Sequence, residues 1–204
     1  MSNTDSGCHC DPTATSKSET RILITVLILN FSMFLIEFSA GIVSHSTALL
    51  ADSLDMFADA FIYALSLFAL NQHEKWRIYA AMASGVIQLT LGIGIAISAI
   101  YKIFFYTLPN SDLMGIYGII ALVVNLISFM LLMRFKEGNI NIRASWICSR
   151  NDMIANVGVL IAAALVAYFQ SAIPDILIGL AIALVVIVSA VKIIKESTLK
   201  KHKY

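Results

Sequence analysis

Six apolar stretches alternate along the chain with short polar breaks, and each stretch is about as long as a lipid bilayer is thick. They run Ile22–Val43, Ala48–Leu70, Ile78–Phe105, Met114–Phe135, Ala144–Phe169 and Ile173–Ile194. A helix crossing the hydrocarbon needs roughly 20 mainly apolar residues. Helices and closed barrels are the structures that satisfy their own backbone there. The pattern predicts an all-α polytopic membrane protein, a six-transmembrane-helix bundle. The breaks at His45-Ser46, Asn71–Arg77, Leu108–Asp112 and Gln170–Ala172 read as turns, with Pro109 and Asn110 the clearest signal. The expected organisation is a flexible tail over 1–20, a membrane domain over 21–196 and a short basic tail over 197–204.

Composition agrees with that reading. Hydrophobic residues make up 59% of the chain and charged residues 13%, where a soluble domain carries about 25% charged. Mean hydropathy is +0.83. A net charge of +1 gives no basic excess for binding nucleic acid. Lys17, Arg21, Lys75, Arg77, Arg134, Lys136, Arg143, Arg150 and the lysines after Lys192 fall on one side of the spans, and Lys102 falls on the other. Positive charge stays in the cytoplasm, so both termini are expected there. Residues 1–20 are polar and lack a secretory signal, which fits a bacterial inner membrane.

Against this apolar background the second span carries Asp52, Asp55 and Asp59. A carboxylate at bilayer depth costs about 2.5–3.5 kcal/mol on insertion scales, so three of them must face the inside of a bundle. Asp55 and Asp59 are four apart and share one helix face. In the fifth span Cys148, Asp152 and Asn156 form a second stripe at the same spacing. Two ligands one turn apart on each of two helices can close a four-coordinate site. A shell with one thiolate suits Zn²⁺, Cd²⁺, Co²⁺ or Fe²⁺ better than Mg²⁺ or Ca²⁺. Asn30 and Glu37 lie seven apart in the first span, on one face, and Glu37 is read either as a proton relay or as a packing carboxyl. Asp52 is expected beside the site rather than as a ligand. In the tail, Cys8-His9-Cys10 is read either as a metal-capture arm or as exposed thiols.

These residues resemble the cation diffusion facilitators, a family of six-helix divalent-metal exporters coupled to proton entry. The likeness starts at Ser46–Ser53 and covers roughly Arg21 to Glu196. The family's [HD]xxxD on the second helix matches Asp55 and Asp59, and its HxxxD on the fifth matches Cys148 and Asp152. The resemblance implies metal ligation by Asp55, Asp59, Cys148 and Asp152. It also implies efflux of a divalent cation, zinc foremost, by alternating access with protons as the coupling ion, and homodimers in the bilayer. The metal is cargo, so neither a resident cofactor nor an enzyme activity is expected. Two departures stand out. Cys148 replaces the family's histidine, and the family's cytoplasmic C-terminal domain is absent from this sequence. A second register pairs Asp152 with Asn156 and leaves Cys148 a bystander. Other readings of the acids are a passive metal channel, an accessory membrane protein, or an intramembrane aspartyl protease. No glycine precedes Asp52, Asp55, Asp59 or Asp152 to shape a protease's catalytic turn.

Overall fold

The computed structural model describes residues 17–68, 74–105, 107–133 and 140–201; side chains from 140 to 148 are not among those described. The expected metal-capture residues Cys8, His9 and Cys10 lie outside this set. Among the described residues six helices follow one another: α1 (Lys17–Ser44), α2 (Thr47–Phe68), α3 (Glu74–Phe104), α4 (Ser111–Met133), α5 (Ile140–Phe169) and α6 (Ile173–Lys201). Among the described residues there is no strand.

The helices outrun the apolar stretches that announced them. α1 begins four residues inside the expected tail, α3 takes in half of the Asn71–Arg77 break, and α6 continues to Lys201. Lys, Glu and Arg are good helix formers, so nothing stops a helix where the hydrocarbon ends. Among the described residues, five of the six are long and apolar enough to cross a membrane, and the three aspartates of α2 interrupt its apolar run.

Polarity is inverted relative to a water-soluble protein. Val43, Phe104, Tyr168, Leu177 and Val188 turn outward, while Glu37, Asp52, Asp59, Gln88 and Asp152 are buried. An exterior of this kind is matched by lipid chains, and the interior is where the polar groups meet. The protein is therefore a multi-pass membrane protein.

α3 packs chiefly on α6, and α1, α2, α4 and α5 pack around one another, with α2 also touching α3 and α6. The α3–α6 contact is close because a Cβ on Gly92 would stand 2.9 Å from Ile187 Cγ1, and one on Gly85 2.9 Å from Ile194 Cγ1. Small residues at such crossings let backbones approach, which drives association where lipid removes the hydrophobic effect. One apolar cluster draws on every helix, including Ala40, Leu49, Ile95, Met114, Val159 and Val186.

The three connections described in the structure gather at one end, the turn end. α1 stops in a Schellman motif, with His45 at φ 55°, Ser46 N–H donating to Gly41 O (3.0 Å) and His45 N–H to Ile42 O (3.2 Å). Ser46 then caps α2 through Leu49 N–H (3.1 Å), Asn110 caps α4 through Leu113 N–H (3.0 Å), and Ser171 caps α6 through Ile173 N–H (3.3 Å).

Candidate metal centre

α2 begins at the turn end and carries its acids inward at fixed steps. At 1.5 Å per residue, Asp52 lies ~8 Å below Thr47, Asp55 ~12 Å and Asp59 ~18 Å. Asp59 is buried, and Asp55 is partly so. α5 crosses α2 at this depth and presents Asp152, 3% exposed, close enough to Asp55 and Asp59 for their charges to interact. The two helices named by the sequence therefore bring these three carboxylates together.

Glu37 comes from α1, fully buried, and its carboxyl lies in the field of Asp52. Neither oxygen of Glu37, neither of Asp52, nor Asp152 Oδ2 has a donor from a described residue. Asp52 in turn feels the charge of Asp55, and Asp152 feels Asp52, Asp55 and Asp59. A file of carboxyls thus runs from Glu37 through Asp52 to the Asp55–Asp59–Asp152 group. Burying carboxylates without partners costs several kcal/mol each, so this file calls for positive charge, whether metal ion or proton.

Tyr63 is a site residue that the sequence reading missed. Its hydroxyl donates to Asp59 Oδ2 at 3.0 Å from a fully buried position. The signal was present, because Tyr63 continues the four-residue stripe of Asp55 and Asp59 by one turn. The donor holds one oxygen of Asp59 and leaves the other to point elsewhere.

Asn156 is buried on the α5 stripe, but its amide turns back to Asp152 O (2.7 Å) and its Oδ1 has no described donor. Asn30 behaves alike, donating to Val26 O at 3.0 Å within its own helix. Cys148 lies on α5, one turn before Asp152, and its side chain is outside the described residues. Among the described residues, no three His, Cys, Asp or Glu side chains are placed to hold a metal ion around a common point. Asp152 lies near Asp55 and Asp59 without the group closing on one centre. Asn125 and Ser128 are buried on α4. Asn125 O accepts from Ser149 Oγ of α5 at 3.3 Å, while Asn125 Nδ2 and Ser128 Oγ find no described partner.

Residues 23–200 match the cation efflux transmembrane domain. The chain belongs to the cation efflux family. The match takes in all six helices, so the cation efflux fold accounts for the whole described bundle and not for the acidic pair alone. A curated relative, the "Cadmium, cobalt and zinc/H(+)-K(+) antiporter" of Bacillus subtilis (strain 168), is 29% identical over 129 residues, which cover 61% of this chain and 41% of the relative. The aligned region thus spans about two-fifths of that antiporter's length.

Proposed function

We propose that this chain exports a divalent metal cation, zinc foremost with cadmium, cobalt and iron behind it, by proton antiport. The observation that carries the reading is the burial of Asp59 of α2 and Asp152 of α5, with Asp55 one turn before Asp59 on the same stripe, where the two helices pack inside the bundle. Asp55, Asp59 and Asp152 supply oxygen ligands, and Cys148 supplies the thiolate. Metal ligands bind deprotonated, so a metal ion arriving from the cytoplasm displaces protons from the carboxyls and the thiol. The bundle then opens to the other side, and protons entering there displace the ion. The Glu37–Asp52 pair lies beside this group and serves as a second station for the exchanged protons. The Bacillus relative is named as an antiporter of cadmium, cobalt and zinc, which is of the same kind. Termini on the cytoplasmic side and a bacterial inner membrane belong to the same reading, as does a homodimer.

The test is metal flux into vesicles reconstituted with the purified chain. Asp59→Ala and Asp152→Ala are expected to insert normally and to lose flux. Unchanged flux in either variant would remove the assignment. An imposed pH gradient is expected to drive uptake, and flux indifferent to that gradient would make the path passive. Cys148→His is expected to retain zinc and to lower cadmium relative to it, because cadmium is the softer ion. An unaltered ratio would make Cys148 a bystander.

A further inference from the structure

The acids do not account for a densely bonded place among the described residues, the turn end. There Asp175, fully buried on the first turn of α6, reaches away from its own helix. Ser171 already caps α6 and Pro174 has no N–H to satisfy, so the Asp175 carboxylate is available to a neighbour. It accepts Ser46 Oγ–H at 2.6 Å, Thr47 N–H at 2.7 Å and Ala48 N–H at 3.0 Å. These amides are the orphan donors at the start of α2, the end of a helix that favours negative charge. Lys102 of α3 completes the arrangement. Its ammonium donates to His45 O at 2.6 Å and to Thr47 Oγ1 at 2.9 Å, and it lies in the field of Asp175. Asn110 N–H ties the α3–α4 connection to Ser44 O at 2.9 Å.

The bonds cross a boundary. α3 and α6 form one closely packed pair, and α1 and α2 belong to the other group of helices. At Gly179 the α6 backbone closes onto Thr47 so tightly that a Cβ would stand 2.7 Å from the Thr47 carbonyl carbon. Directly beneath, Ala48, Leu49 and Ala51 are fully buried, and the carboxyl file begins at Asp52. This seal closes the approach to the acids that runs between α2 and α6 from the turn end. Its cross-links are polar and charge-assisted, so water can replace each of them when the halves part. Apolar interdigitation has no such substitute.

We propose that Asp175 and Lys102 form a clasp that holds the turn end shut, and that releasing it opens the path from that end to the acids. The proposal rests on the alternating-access reading above, because a gate matters only if both ends open in turn. Asp175 and Lys102 are positioning residues here, acting on α2 and not on the cargo.

The experiment reads thiol accessibility and not metal flux, so its outcome is separate from the fate of the transport assignment. Two reporters are made in the full chain in nanodiscs, Val166→Cys near the turn end of α5 and Val26→Cys near the opposite end of α1, both buried positions. Labelling by a charged thiol reagent is compared in the parent, in Asp175→Asn and in Lys102→Met, after subtracting labelling of the reporter-free chain, which keeps Cys8, Cys10 and Cys148. Losing a charge-assisted hydrogen bond should speed Val166→Cys labelling by about tenfold, with Val26→Cys unchanged or slower. Equal rates at Val166→Cys in parent and variants would overturn the clasp. So would acceleration at both reporters, which would mean general loosening. Asp175→Asn keeps the side-chain shape and Lys102→Met keeps its length, so either variant suffices if the other does not fold.

Discussion

At the scale of residues, the site rests on groups that lack partners. The Asp59 carboxylate accepts from Tyr63, whereas the oxygens of Glu37 and Asp52 have no described donor. Tyr63→Phe removes a donor to a charged acceptor and leaves the ring's packing in place. A hydrogen bond of that class contributes about 1.5–3 kcal/mol. The variant is expected to fold and to bind zinc about tenfold more weakly in a metal titration, which corresponds to ~1.4 kcal/mol. An unchanged affinity would show that the hydroxyl does not orient a ligand. The carboxylates were legible in the sequence because a charge inside an apolar run is conspicuous, and four-residue spacing gives it a direction. Tyr63 was harder to see, since a tyrosine among apolar residues reads as packing. Asp175 and Lys102 were harder still. Each sits near a span's end, where a charge needs no explanation, and their partners at Ser46 and Thr47 are more than fifty residues away in sequence.

At the scale of elements, helix number and order were legible from the spacing of the apolar runs. Helix ends were not. α1, α3 and α6 run past the hydrocarbon because membrane thickness limits apolarity, not helicity. Which helices pair is decided by contacts that hydropathy does not encode. Gly92 illustrates the point, being one of several glycines in the sequence yet set tightly against Ile187, while Gly94 has open space where a Cβ would go. Gly92→Leu is therefore expected to force α3 from α6 and to lower the thermal midpoint in detergent, by the equivalent of about 1–3 kcal/mol typical of overpacking. Gly94→Leu should leave it nearly unchanged. Equal effects from the two would mean that the α3–α6 crossing is looser than described.

At the scale of the whole molecule, a bundle that buries carboxylates for want of cations is stabilised by supplying them. A ligand that binds the folded state at a hundred times its Kd adds about 2.7 kcal/mol. Zinc is expected to raise the thermal midpoint of the purified chain, a chelator to reverse the rise, and Asp59→Ala to abolish it. A rise that survives in Asp59→Ala would place the stabilising metal elsewhere. α2 is suspended from the turn end by its own first amides, held by Asp175. The depth of Asp55 and Asp59 is thus measured from that face of the membrane, as a plumb line is measured from its hook. The first turn of α1 and the last turn of α6 lie at the opposite face, so additions joined beyond them leave this measure alone. Fluorophores, affinity handles and soluble partners for imaging therefore belong there, while insertions among the three laced turns would move the acids themselves.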